Sequence, residues 1–374
     1  MKKTCPNLPF MGFIIATLIL VVIPALTYVK QKALDTVIPG PGVTRTGSLS
    51  DYLPALKGSS ADTPVYYLEG KESGGTVLLV GGAHPNEPAG FIAPLLVVER
   101  GTVQKGRVIV IPYSNGSAIS HTEPLEGSPA SFSLKNKSGE TRTFRVGSRL
   151  SNPLDQWPDP KLFVNEKGQV LSGSEMRNLN RAFPGKENGS ITEQIAYAIM
   201  EIIRKEKADI SIDFHEASPE YTTVNAIVAH EKSIELAAEV VMYMEFENIP
   251  ITLEQSPKNL NGLSHREWGD YSDTLPFLFE AANPFMGRLR GRTDENLILE
   301  GKDPYYLAAA KAKRLNVPYD EKGLPLSYRV ARHVTAFRYV LDTYNSYHED
   351  NAIIVTGLPD FNELAYQNVG DFLN

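Results

Sequence analysis

The chain has 374 residues, 42% hydrophobic and 22% charged, a composition suited to one large or two ordinary globular domains and not to a disordered chain. A formal net charge of −7 and the lack of any basic cluster exclude a nucleic-acid binder, because phosphate contacts need clustered Lys and Arg. The single cysteine, Cys5, lies at the extreme N-terminus, so a disulfide framework or thiolate metal site is excluded from the body, and any metal there must be held by His and carboxylate.

Residues 1–7 form an N-terminal flank carrying Lys2 and Lys3. From Leu8 to Val29 the chain carries no charge, and such a run can cross a bilayer core of roughly 30 Å at about 1.5 Å per residue. Residues 8–29 are therefore expected to be an uncleaved single-pass membrane anchor, with a cleaved signal peptide as the alternative. Lysines flank both ends, with Lys30 and Lys32 beyond the run, so charge bias barely sets the orientation. A catalytic body outside the cytoplasm is the expected outcome, tethered or, after cleavage, secreted.

Residues 30–63, rich in Pro, Gly and Ser, read as a linker. The folded body is expected over residues 64–348. Its first segments, PVYYLEG, GTVLLVGG and GRVIVIPYSN, are β-branched runs bounded by turn residues, which suits buried strands. NEPAGFIAPLLVVERG between the second and third suits a helix, completing a parallel crossover unit. Residues 115–177 dissolve into Ser, Gly, Pro and Lys, and read as an inserted surface loop or lid.

Beyond the insertion, SITEQIAYAIMEIIRKEKA has the pattern of an amphipathic helix with Ser190 and Glu193 in a capping-box arrangement. DISIDFHEAS follows as a strand, KSIELAAEVVMYMEFEN as a helix and TLPFLFEAANP as a strand. Two more helices are expected in DPYYLAAAKAKRL and LSYRVARHVTAFRYVLDTYNSY, then a C-terminal tail over residues 349–374. The alternation predicts an α/β fold with a mixed, mainly parallel sheet flanked by helices.

Ligand sites of open α/β sheets gather beyond the carboxyl ends of the strands, where three chemistry-bearing segments fall. His84 and Glu87 form HxxE across a strand-to-helix turn, a spacing that lets imidazole and carboxylate face one metal, although a solvated His and a capping Glu share it. His215, closing DISIDF, would add a third ligand and leave a fourth position open; satisfaction by backbone groups is its alternative. Asp213 lies on the same strand face and can orient a histidine. Glu280, ending an apolar run, is placed as a semi-buried general base or as a plain strand terminus.

In NLNRAFPG, Asn180 and Arg181 offer an amide and a guanidinium to a substrate carboxylate, or a turn before a helix. His265 and Glu267 in SHREW diverge on a helix and read as a surface or second-layer feature. GxSxG, GxxxxGK, GxGxxG and HExxH motifs are absent, which removes the usual support for serine hydrolases, nucleotide binders and thermolysin-like peptidases.

The order His84xxGlu87, Asn180-Arg181, His215, Glu280 resembles the zinc carboxypeptidase superfamily. GGAHPNEPAG and NLNRAFPG are closer to its succinylglutamate desuccinylase/aspartoacylase branch, over roughly residues 64–285. That resemblance implies one zinc ion per chain on His84, Glu87 and His215, a substrate carboxylate held by Asn180 and Arg181, and Glu280 as base and then proton donor. It also implies an oxyanion-stabilising arginine, for which Arg142, Arg145 and Arg149 are candidates and Arg149 lies nearest SNPLDQWPDP.

Pro85 and Asn178 depart from the branch's usual glycine and aspartate. The expected activity is hydrolysis of an amide in an N-acyl amino acid or related small carboxylate. A membrane-tethered carboxypeptidase acting on peptides or cell-wall fragments, and a non-catalytic binding module, are the alternatives.

Overall fold

The computed structural model describes residues 8–31, 34–165 and 167–374. The flank over residues 1–7, with Lys2, Lys3 and Cys5, lies outside the described residues, as does Lys32. Helix α1 (Leu8–Gln31) contains a 20-residue stretch, Leu8–Thr27, long and apolar enough to cross a membrane, and none of it is buried. A membrane anchor and a signal peptide both have this form.

The body is built on a nine-stranded sheet. Its strands are β1 (Arg45–Ser48), β2 (Pro64–Glu69), β3 (Glu72–Val80) and β4 (Thr102–Ile111), with the two short hairpins β5 (Ser131–Lys135)/β6 (Thr141–Arg145) and β7 (Leu162–Val164)/β8 (Val170–Ser172) set apart from it. The remaining sheet strands are β9 (Ile210–Ala217), β10 (Ala226–Ala229), β11 (Thr252–Gln255), β12 (Leu275–Ala282) and β13 (Ile354–Thr356). Their spatial order is β1-β2-β4-β3-β9-β12-β10-β11, with β13 added on β4.

The centre, β4-β3-β9-β12, is parallel, but β1, β2, β13 and β10 join antiparallel. The sheet is therefore evenly mixed, not mainly parallel as expected. The apolar run that marks a strand does not record its direction.

Side-chain alternation assigns the two faces. Val77, Leu79, Ile210, Ile212, Phe214, Phe277 and Phe279 point into one apolar cluster. There they meet α2 (Pro88–Arg100), α5 (Ile234–Phe246) and other apolar helical faces, including that of Leu326–Tyr347. Leu78, Val80, Ile109 and Ile111 point to the other cluster, covered by α4 (Ile191–Lys205). That second helix begins with the expected capping box, Ser190 Oγ accepting from Glu193 N and the Glu193 carboxylate accepting from Ser190 N.

The linker expected over residues 30–63 is largely a built part of the body. Thr44 N donates to Tyr67 O at 2.8 Å, β1 pairs with β2, and Leu49, Leu53 and Leu56 are buried in the second cluster. Tyr52 Oη bonds Tyr67 Oη and Glu206 Oε1, both at 2.6 Å. The expected C-terminal tail is likewise packed, with Ile353, Leu364, Val369 and Leu373 in the first cluster.

The insertion over 115–177 is also less loose than its composition suggests. It starts with the buried turn of helix α3 (Gly116–Ile119), and Arg177 closes it through Asp159 at 2.7 Å and Ser151 O at 2.6 Å.

Because Leu56 is fully buried in that core, Leu56→Ala is expected to cost about 2–5 kcal/mol in urea unfolding of the purified chain. A change within the error of the wild-type midpoint would show that residues 44–63 do not belong to the folded unit.

Candidate metal centre

Three parallel strands deliver the central residues. β3 ends at Val80, and the chain turns through Gly81 and Gly82 to His84 and Glu87. At Gly82, with φ +62, a Cβ would lie 2.8 Å from Pro112 O; at Gly81 it would lie 2.4 Å from Gly90 O. This turn against α2 is therefore open only to glycine. Glu87 occupies the N-cap of α2, yet its carboxylate makes no cap bond and turns to the histidines.

Register does the rest: Val80 stands opposite Asp213 on β9, and His215 opposite Glu280 on β12. Asp213 and His215, two residues apart, share the face away from Phe214.

Donor atoms of His84, Glu87 and His215 lie within 4.8 Å of one another, and all three residues are buried. Glu87 sits between the rings. Its Oε1 is 2.8 Å from His84 Nδ1, and its Oε2 is 2.9 Å from His215 Nδ1 and accepts Glu216 N at 3.0 Å. Burial opposes ionisation of Glu87, but the facing histidines outweigh it and hold the carboxyl far below the usual carboxylate range.

Asn178 fixes how His84 presents itself. Its Oδ1 accepts Asn180 N at 3.0 Å and its Nδ2 donates to Glu175 Oε2 at 2.7 Å, so the amide orientation is set. His84 Nε2, 2.8 Å from that same Oδ1, must then be the donor. Burial lowers the pKa of His84, so Nδ1 keeps a bare lone pair. Two acceptors, His84 Nδ1 and Glu87 Oε1, thus face each other at 2.8 Å, and a cation between them satisfies both.

Asp213 plays the outer part for His215: its Oδ2 lies 2.9 Å from Nε2, without hydrogen-bond alignment, and is held by Ser264 Oγ at 2.6 Å. The neutral amide behind one ring and the carboxylate behind the other make the two histidines electrostatically unequal.

The other expected site residues surround this trio. Glu280 is partly exposed as a residue, but its Oε2 is buried without a hydrogen-bond partner among the described residues, and burial raises its pKa. Arg149, of the three candidate arginines, reaches the centre, with Nη1 3.5 Å from His84 Nδ1 and 3.9 Å from Glu87 Oε1. Arg142 pairs instead with Glu99 at 2.7 Å, and Arg145 N donates to Asp35, both away from the trio.

Asn180 is buried, and its Oδ1 accepts Ser264 N at 2.9 Å, leaving Nδ2 for a ligand. Arg181 is mostly buried; burial lowers its pKa, and the nearby Arg149 charge adds to the effect.

Several partners escaped sequence reasoning. Helix α6 is SHREWGDY (Ser264–Tyr271 in the sequence), and its first six residues are buried. Of the two readings of SHREW, surface or second-layer, the structure has the second: Ser264 braces Asp213, and His265 Nδ1 lies 2.8 Å from Ser256 Oγ. On the opposite sheet face Glu216 pairs with Arg329 at 2.6 Å, both fully buried, and accepts Ala89 N at 2.9 Å. The only signal for Ser264 was its place at a helix start beside a polar strand face; Glu216 and Arg329, 113 residues apart, left none.

Residues 163–278 match the succinylglutamate desuccinylase/aspartoacylase catalytic domain, a span that holds Asn178, Asn180, Arg181 and His215 but not His84, Glu87 or Glu280. That span thus resembles the succinylglutamate desuccinylase/aspartoacylase catalytic domain, as NLNRAFPG implies.

Similar solved structures include a succinylglutamate desuccinylase/aspartoacylase from Rhodobacter sphaeroides (23% identity, 59% of this chain and 51% of that one, TM-score 0.37). An aspartoacylase family protein from Mesorhizobium loti gives 22%, 66%, 62% and 0.39 on the same measures. The tripeptide-bound cell shape determinant protein of Helicobacter pylori gives 13%, 79%, 57% and 0.47. The chain spans about half to three-fifths of the length of these structures. No curated protein matches it.

Asn178→Ala, which frees His84 to take the other tautomer, is expected to weaken metal binding about 10–100-fold in a chelator-competition titration. Unchanged affinity would show that Asn178 does not set the ring.

Proposed function

We propose that the protein is a zinc-dependent hydrolase that cleaves an amide of an N-acyl amino acid or a related small carboxylate. The observation that carries this reading is the buried trio itself: two imidazoles and a carboxylate brought together, with the acceptors His84 Nδ1 and Glu87 Oε1 facing each other and, among the described residues, an unpartnered Glu280 oxygen nearby on the adjoining strand. Nitrogen and oxygen donors of this number suit zinc.

Held by His84, Glu87 and His215, one zinc ion would supply Lewis acidity toward the scissile carbonyl and toward water. Glu280 takes the proton of the attacking water and returns it to the leaving nitrogen; desolvation brings its basicity toward the working range. Arg149 stands beside His84, where negative charge develops on the carbonyl oxygen. Asn180 Nδ2 and the Arg181 guanidinium grip the substrate carboxylate by charge-assisted hydrogen bonds. Asn178, Asp213 and Ser264 do not touch substrate; they hold the ligands.

Helix α1 serves in this reading as a single-pass anchor with the catalytic body outside the cytoplasm. Its full exposure along Leu8–Thr27 and its apolarity support that role, and release by signal cleavage is the variant of it.

The test is a mass-spectrometric assay of the zinc-loaded, detergent-solubilised chain against N-acyl amino acids and short peptides, beside Glu280→Gln. Release of a free amino acid from acyl compounds is expected, with kcat reduced about 10²–10⁴-fold in Glu280→Gln while zinc is retained. Trimming of peptide C-termini would replace the deacylase reading by the carboxypeptidase one, and a zinc-loaded chain inert toward both would overturn it.

A further inference from the structure

A cavity of about 280 Å³ lies behind the segment that carries Arg181. Its walls are the β7–β8 hairpin, the 181–186 segment and helix α6, and none of His84, Glu87, His215 or Glu280 lines it. It shares with the metal centre the residue Arg181. At Gly262, with φ +85, a Cβ would lie 2.3 Å from Arg181 O, so glycine lets the approach to α6 press against that main chain.

Two opposite charges line this cavity and do not pair with each other. Glu267 is 1% exposed; its Oε1 accepts Gly262 N at 2.9 Å, while its buried Oε2 has no partner among the described residues. A buried carboxylate oxygen in that state is costly unless a donor reaches it. Lys167 Nζ lies 5.7 Å from the centre of the Tyr271 ring, and no carboxylate is within ion-pair distance of it among the described residues. The other lining lysine, Lys186, is already held by Glu193 at 3.2 Å. Phe163, Phe183 and Tyr271 add aromatic surface.

We propose that this cavity binds a small zwitterion of the α-amino-acid class, its ammonium on Glu267 Oε2, its carboxylate toward Lys167 and its side chain among the aromatic rings. An ammonium supplies the donor that Glu267 lacks, and a carboxylate gives Lys167 its counter-charge. Aromatic faces favour the same cationic end and shelter an aliphatic chain. The volume falls below the roughly 300–1,000 Å³ of pockets for drug-sized ligands, in keeping with a smaller guest. The proposal goes beyond the hydrolase reading and needs no turnover for its test.

Trp268 follows Glu267 and packs edge-on against Phe183 with ring centres 5.5 Å apart, so its fluorescence reports on the cavity. The chain has two tryptophans, and W157F leaves Trp268 alone. The full-length W157F chain in detergent is titrated with norleucine, with pentylamine lacking the carboxylate, and with hexanoate lacking the amine. Norleucine is expected to give a saturable change, and each half-molecule to bind at least about ten-fold more weakly.

E267Q and K167M, each added to W157F, are expected to weaken norleucine by a similar factor. Lys167 is exposed, so K167M tests the site without challenging the fold. No saturation, a half-molecule that binds as tightly as norleucine, or norleucine affinity unchanged in both variants would overturn the proposal. An unchanged deacylase assay alongside any of those results would leave the hydrolase reading standing.

Discussion

The Glu87 carboxylate is the piece on which the site is assembled. One oxygen meets His84 and the other meets both His215 and the backbone of Glu216, so a single side chain at a helix N-cap joins two strand ends. The histidines that face it keep the carboxylate ionised although it is buried. The geometry depends on register. A slip of one residue in β9 would turn Asp213 and His215 to the face of Ile212 and Phe214, and the trio would dissolve.

Around that carboxylate the structure places a layer of partners that fix direction. Asn178 determines which nitrogen His84 offers, Ser264 holds Asp213 behind His215, and Asn180 is pinned by the start of α6. On the far face of the sheet the fully buried Glu216–Arg329 pair also captures Ala89 N, in the first turn of α2, so it steadies the same helix that Glu87 begins. Arg329 gives its remaining donors to Ile298 O and Leu324 O, which leaves the buried guanidinium with acceptors on several sides. A pair satisfied in this way orders the elements around it, whatever its net contribution to stability.

Much of this was legible because local chemistry carried it. The alternation of DISIDF placed Asp213 and His215 on one face, the Gly81-Gly82 break announced a turn, and Ser190 with Glu193 marked a helix start. Arg149 was separable from Arg142 and Arg145 only in three dimensions, since all three lie in the insertion and two are drawn off toward Glu99 and the Asp35 segment. The 44–63 segment misled because Pro54, Gly58 and its serines speak for a linker, whereas Leu49, Leu53 and Leu56 face a core contributed by distant residues. Arg329 was invisible for the same reason: its partner Glu216 is 113 residues away in sequence.

The most direct test of the central claim is metal content after dialysis, measured by inductively coupled plasma mass spectrometry on the wild-type chain and on Glu87→Ala. The account predicts about one zinc per wild-type chain and loss of that zinc in the variant, because removing Glu87 takes away one of three ligands. Zinc retained at the same stoichiometry and affinity without Glu87 would place the metal elsewhere and contradict the account.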